Sequence, residues 1–248
     1  MRTDIVVGFD GSTGATSAVD WAAHEAHLRG VGLRVVTAEP WVPLSYGAPF
    51  AGAVPPRGNH RADQIVAGGR RRAATVLDAS RLESFVIPGY APVALVRESG
   101  DAVLVVVGHR VHSRARECAT GSVALAVATH SRCDVVVVPP GDTVLVGPGL
   151  PVVVAVDGSD ATERIARRAG HIAAERGASL VVVRTGGGRR PERHGPAVGP
   201  DALTDASRGA GLVVVGSHRF GAFGRAVLDP AGRAALRRTG VPVLVVRC

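Results

Sequence analysis

A short strand that ends in an acidic turn occurs twice in this chain, as Val6-Val7-Gly8-Phe9-Asp10-Gly11-Ser12 and as Val153-Val154-Ala155-Val156-Asp157-Gly158-Ser159. Each copy is followed by a second shared signature, Val105-Val106-Val107-Gly108 and then Val213-Val214-Val215-Gly216. Unbroken β-branched runs of this length fit strands covered on both faces, as in a parallel sheet layered between helices. Two such sets imply a duplicated α/β unit. The copies are unequal: thirteen residues after Gly108 stands Gly121-Ser122, whereas Asp229-Pro230 fills the matching place in the second copy.

In the first copy the runs Ile5 to Phe9, Leu33 to Ala38, Ser84 to Ile87, Val103 to Val107 and Val135 to Val138 read as strands. Between the first two, Ala15, Ala18, Val19, Ala22, Ala23 and Ala26 recur at helical spacing, which predicts an amphipathic helix over Thr13 to Arg29 capped by Ser12 or Thr13. A proline-rich stretch from Pro40 to Arg61 precedes a helix expected to break at Gly68-Gly69, and Pro92 to Glu98 reads as another helix. The alternating order predicts a doubly wound, Rossmann-like open parallel sheet. After Pro139-Pro140-Gly141 a Gly/Pro-rich linker divides the chain into expected domains 1–142 and 143–248.

The second copy restarts with a strand to Val156, and Asp160-Ala161-Thr162-Glu163 resembles a capping box opening a helix whose inner face holds Ile165, Ala166, Ala169, Ile172 and Ala173. Strands follow at Leu180 to Val183, Leu212 to Val215 and Val241 to Val246. Asp10 and Gly108 lie 98 positions apart, Asp157 and Gly216 only 59, so the second domain is shortened by about one helix and one strand. Gly186 to Pro200 is too polar and broken for a sheet and reads as a surface loop.

Composition removes several classes of function. Hydrophobic content is 46% with 4% aromatic, so the cores are built of Ala, Val and Leu. Three cysteines, Cys118, Cys133 and Cys248, show no metal or disulfide spacing and point to a reducing cytoplasm. No apolar run approaches the ~18 to 20 residues of a membrane span, and no signal core precedes the first strand. The net charge of +8 lies mostly beyond residue 142, where 15 arginines face 8 acids, against 14 and 13 before it. Those arginines are scattered without interleaved aromatics, which favours a solvated surface over a specific nucleic-acid site. With no lysine anywhere, a P-loop is excluded. Nucleophile-elbow, zinc-helix and dinucleotide motifs are also absent, and no catalytic residues can be assembled. His24 and His27 share a helical face without an acidic or thiol partner, and Cys118 stands in the loop after Gly108.

That loop carries the chemistry. A strand ending at Gly108 and a helix starting at Ser122 would offer free amides and a positive helix end to an anion. Gly121 permits close approach, the Ser122 hydroxyl can donate or cap, and His109, Arg110, His112, Arg114 and Arg116 surround them. In an open sheet Asp10 would face the same crevice, to accept from a base or ribose or to help hold Mg²⁺. A plain structural turn explains the same residues.

Taken together, the Asp-Gly-Ser turn, the Val-Val-Val-Gly run, the spaced Gly-Ser and the last Val-rich strand resemble the universal stress protein family in its tandem form, over nearly the whole chain. ATP-binding members carry G-x2-G-x9-G-(S/T), to which Gly108, Gly121 and Ser122 conform, with Val111 at the second glycine. Asp10 matches the base-contacting aspartate, Gly8 the small residue before it, and Ala38 the residue near adenine at the end of the second strand. The resemblance implies an adenine-nucleotide pocket in residues 1–142, holding ATP with or without Mg²⁺. It also implies a stress-response role exerted through a protein partner that the sequence leaves unnamed. A β-branched Val111 would cost about 1–3 kcal/mol if its position needs φ > 0. In the second copy Gly216, Gly221 and Gly224 remain, but Arg219 takes the second glycine, and Asp229-Pro230 brings a negative charge and removes an amide, so at most one nucleotide per chain is expected. Family units associate through their last strands, which predicts internal pairing of Val135 to Val138 with Val243 to Val246, shielding the sheet edges and leaving room for a homodimer. Two alternatives stay open: a nucleotide-free protein-interaction scaffold, and a weak ATPase.

Overall fold

The computed structural model describes residues 4–40, 60–109, 122–141, 149–156, 159–184, 200–220, 225–228 and 230–247. The first half runs β1 (Asp4–Gly8), α1 (Thr13–Arg29), β2 (Leu33–Glu39), α2 (His60–Ala73), β3 (Leu82–Pro88), α3 (Ala91–Glu98), β4 (Ala102–Gly108), α4 (Ser122–His130) and β5 (Asp134–Val138). The second half runs β6 (Val152–Val156), α5 (Asp160–Glu175), β7 (Leu180–Arg184), α6 (Pro200–Ala206), β8 (Leu212–Phe220), β9 (Arg225–Leu228), α7 (Pro230–Arg238) and β10 (Val243–Arg247).

The ten strands of the described residues belong to one sheet in the order β3-β2-β1-β4-β5-β10-β8-β6-β7, with β9 added to β8. Within each half the path strands pair in parallel. The halves meet where β10 runs antiparallel to β5, with Val243 opposite Val137, Leu244 opposite Val136 and Val245 opposite Val135. This is the internal pairing expected from the Val-rich last strands. The order β7-β6-β8-β10 repeats β2-β1-β4-β5, and among the described residues nothing takes the place of β3, so the second unit is short by a strand and a helix.

Alternating side chains feed two cores. Ile5, Val7, Val35, Leu104 and Val154 pack beneath α1, α2 and α5, while Val6, Val36, Val105, Val213 and Val245 pack beneath α3, α4, α6 and α7.

Several local expectations need correction. Ser12 is the α1 cap, its side chain accepting from the Ala15 amide, but α1 is buried around most of its circumference rather than on one face. Its covering extends to the second unit: Glu25, 3% exposed, accepts from Arg29 Nε at 2.7 Å and from Arg176 Nη2 at 2.5 Å, and that second guanidinium lies 5.7 Å from the Trp21 ring centre. Helix α2 runs unbroken through Gly68 and Gly69. At Gly69 a Cβ would stand 2.7 Å from Phe9 Cδ1 and 2.9 Å from Val35 Cγ1, so this glycine permits close helix–sheet contact instead of ending the helix. Ser159, not Asp160, caps α5 by accepting from the Thr162 amide. Edge protection is also incomplete. Joining β5 to β10 moves the edges outward to β3 and β7, and Leu180, Val181 and Val182 of β7 are 36%, 38% and 48% exposed. Of the expected loop Gly186 to Pro200, residues 186–199 lie outside the described residues and Pro200 opens α6.

Candidate functional site

The chain leaves β1 toward β2 and β3 and returns to place β4 on the other side of β1, so β1 and β4 flank the switch point of the first unit. In open α/β sheets ligands bind beyond the carboxyl ends of the strands at such a point. A cavity of about 250 Å³ lies there. Its walls come from the ends of β1, β2 and β4 (Gly8, Phe9, Val36, Ala38, Val107 and Gly108) and from the first turns of three helices. These turns bring Ser12 and Ala15 of α1, Ala91 of α3, and Ser122, Val123 and Ala124 of α4. Asp10, the only charged residue among the described lining, and Leu95 complete it.

Five of the seven residues singled out from sequence thus line one cavity: Gly8, Asp10, Ala38, Gly108 and Ser122. Val111 and Gly121 lie outside the described residues, as does Cys118. The walls contributed by Phe9, Ala15, Ala91 and Leu95 were missed. Apolar residues carry no chemical signature, and only the knowledge that α3 crosses over on the same face as α4 would have suggested Ala91 and Leu95.

Local structure explains how each group arrives. Asp10 Oδ1 accepts from the Ser12 amide at 3.0 Å, an Asx turn made possible by the positive φ of 79° at Gly11. The Ser12 hydroxyl is already engaged at the α1 cap. Phe9 is tied to β2 twice: its amide donates to Val36 O at 2.8 Å, and its carbonyl accepts from the buried Thr37 hydroxyl at 2.9 Å. Two glycines have distinct uses. At Gly8 a Cβ would come within 2.8 Å of Leu95 Cδ1, so a side chain there would displace Leu95, which lines the cavity. At Gly108 a Cβ would overlap the Gly14 carbonyl and stand 2.6 Å from Ala15 N, so this glycine lets β4 touch the start of α1 backbone to backbone.

Helix α4 begins at Ser122, as the sequence predicts, and its first turn, whose amides have no partner within the helix, lines the cavity through Ser122, Val123 and Ala124. Just beyond Gly108, His109 Nε2 is buried without a hydrogen-bond partner among the described residues, and burial holds the imidazole below its ordinary pKa of 6.5. Among the described residues no cluster of three His, Cys, Asp or Glu could hold a metal, and His24 is occupied in bonding to Asp20 O. No helix of the described residues is long and apolar enough to cross a membrane.

The second unit differs where the first has its candidate loop. Strand β8 continues past Gly216 to Phe220 and pairs antiparallel with β9, Ser217 facing Leu228 and Phe220 facing Arg225. A glycine loop was expected there. Instead 217–220 pair with 225–228 in an antiparallel ladder, and α7 begins at Pro230, which has no N–H to offer.

The universal stress protein family model matches residues 1–139. Universal stress protein Rv2623 of Mycobacterium tuberculosis is 35% identical over 188 residues, covering 72% of this chain and 62% of its own length, so the chain spans less than two thirds of that relative. A second protein of that organism, universal stress protein Rv1996, is 26% identical over 299 residues, covering 98% of this chain and 94% of its own. That alignment is longer than the 248 residues here, so the relative has positions with no counterpart in this chain. The crystal structure of a universal stress protein from Archaeoglobus fulgidus DSM 4304 has the same fold, with a TM-score of 0.71 at 16% identity over 100% of this chain and 99% of its own. On the family match over residues 1–139, the chain belongs to the universal stress protein family.

Proposed function

We propose that this protein binds an adenine nucleotide, ATP with or without Mg²⁺, at one site per chain in a first domain of residues 1–142, and that a second domain, 143–248, has no nucleotide site. The observation that supports this reading most is the convergence of Gly8, Asp10, Ala38, Gly108 and Ser122 on one cavity at the β1/β4 switch point.

The lining divides by chemistry. Ala38, Ala91, Leu95 and Val36 form an apolar floor for a base, and Asp10 accepts hydrogen bonds from base or ribose. Phosphate belongs at the opposite end, on the first amides and hydroxyl of α4, because at ~4 Å from Asp10 it would meet about 4 kcal/mol of repulsion at an effective dielectric of ~20. Gly121 and Val111 complete that end in the proposal. Mg²⁺ would draw on phosphate oxygens and water, with Asp10 the one carboxylate among the described lining residues. ATP here supplies binding free energy: at 100 times its dissociation constant it stabilises the folded chain by ~2.7 kcal/mol. Restriction to one site is supported by the β8–β9 ladder and Pro230.

A thermal-shift titration with ATP-Mg tests the reading, and equilibrium dialysis gives the stoichiometry. A rise in melting temperature, one ATP per chain, and loss of both in Gly121→Asp are expected; two ATP per chain, or unchanged binding in that variant, rejects it. The scaffold alternative rests on Val111 at the family's second glycine, and a flat titration favours it. ADP formation lost in Gly121→Asp would favour the ATPase.

A further inference from the structure

We infer that α4 couples the nucleotide pocket to the second unit, with Arg247 as the positioning residue at the far end of the helix; this rests on the nucleotide reading of that pocket. Ser122, Val123 and Ala124 at the start of α4 line the cavity. The last carbonyls of a helix have no partner within it. Here they are gripped from across the unit junction: Arg247 of β10 donates from Nη1 to Thr129 O at 3.0 Å and from Nη2 to Ala128 O at 3.1 Å and Val127 O at 3.5 Å.

The same residue is fixed by its backbone, whose N–H donates to Asp134 Oδ1 at 2.9 Å, while Asp134 Oδ2 lies 4.0 Å from Arg168 of α5. Strand β9 also contacts α4. Every one of these groups except Asp134 comes from the second unit. A cation at a helix C-terminus is favoured by the macrodipole, and a planar guanidinium spread over three carbonyls fixes direction as well as charge.

A nine-residue helix is about 13 Å long and moves as a rod, so a displacement at His130 is carried to Ser122. Hydrogen bonds to an anion weaken beyond ~3.2 Å or when tilted, so small shifts at Arg247 alter affinity at the pocket. Linkage makes the effect reciprocal: nucleotide binding must tighten the grip at Thr129. The first unit keeps its own hold on the helix end through the Arg132 amide, which donates to Ser99 Oγ at 2.8 Å. Loss of Arg247 therefore misplaces α4 without abolishing it, and the second unit serves as the support that aims the anion end of the pocket.

Hydrogen–deuterium exchange of the full wild-type chain, with and without ATP-Mg, tests this first. Slower exchange is expected at 122–126 and also at the Ser131 and Arg247 amides, which bond to Val127 O and Asp134 Oδ1. Dialysis should then show Arg247→Ala weakening ATP about tenfold, Arg247→Lys recovering part of the loss, and Arg168→Ala staying within about twofold. Protection at 122–126 that never reaches Ser131 and Arg247, or wild-type affinity in a folded Arg247→Ala, overturns the coupling while leaving the nucleotide reading intact. No protection anywhere removes both. Should Arg247→Ala not fold, Arg247→Lys and the wild-type exchange pattern decide.

Discussion

Strands β2 and β7 occupy the same place in their units, each paired with the unit's first strand, yet Val35 of β2 is fully buried and Val182 of β7 is 48% exposed. Their sequences, Leu33-Arg34-Val35-Val36 and Leu180-Val181-Val182-Val183, do not foretell this; the second is the more apolar. Neighbours explain it. Strand β2 lies between β1 and β3 with α2 on its face, whereas β7 ends the sheet. The carboxyl ends of β4 and β8 diverge likewise: one opens toward a cavity, the other continues into a hairpin. Dropping a strand and helix, and pairing β8 with β9, sets the second unit apart from the first at the strand ends that in the first line the cavity.

The strongest blow to the first unit is a side chain at Gly108. Because Gly14 and Ala15 backbone atoms occupy the space of its Cβ, Gly108→Val forces β4 and α1 apart and should cost at least ~3 kcal/mol in urea denaturation. A cost below ~1 kcal/mol would mean that this contact yields easily and that Gly108 serves the crevice alone. Next comes the link between the units. Glu25→Ala leaves Arg29 and Arg176 facing each other around a vacated buried site, and about 3 kcal/mol should be lost. Chevron or equilibrium data that split into two transitions would show the halves unfolding separately after this change.

The β2/β7 contrast itself is tested by paired truncation. Val35→Ala removes two methyl groups from a closed core and should cost about 2 kcal/mol, while Val182→Ala, half in solvent, should cost under ~0.5 kcal/mol. Equal losses would show that β7 is covered in solution, whether by the chain itself or by a second copy.

What could be read from the residues was whatever local chemistry decides. The Val runs announce strands, Asp10-Gly11-Ser12 announces an Asx turn with a helix cap, and Ser122 opens α4 where the Gly-Ser pair predicts. Long-range packing was hidden. Gly69 reads as a helix breaker until Phe9 and Val35 are seen against it, and Gly108 reads as a phosphate glycine until Gly14 is. Ala91 and Leu95 look like ordinary helix residues although they wall the cavity. The hairpin had a signal, Gly221 and Gly224 between two short runs, but position-by-position matching to the first copy turned it into a loop.

The subtlest difference between the units lies one residue past the shared glycine. In the second, Ser217 is buried and its hydroxyl donates to Val246 O at 3.2 Å; in the first, His109 Nε2 is buried without a partner among the described residues. Burial lowers the imidazole pKa below 6.5 because the folded chain accepts the charged form reluctantly. Between that lowered value and 6.5 the unfolded chain binds more protons than the folded one, so stability rises with pH across the window. The contribution is fully present above 6.5 and is lost as pH falls through the folded-state pKa. His109→Ser gives the first unit the residue of the second and should flatten this part of the profile. Urea midpoints from about pH 7.5 down to about pH 5, compared as wild type minus variant, isolate the imidazole from carboxylates common to both proteins. A difference that does not change with pH would mean that His109 reaches water or a partner in solution, and the two strand ends would then be equally satisfied.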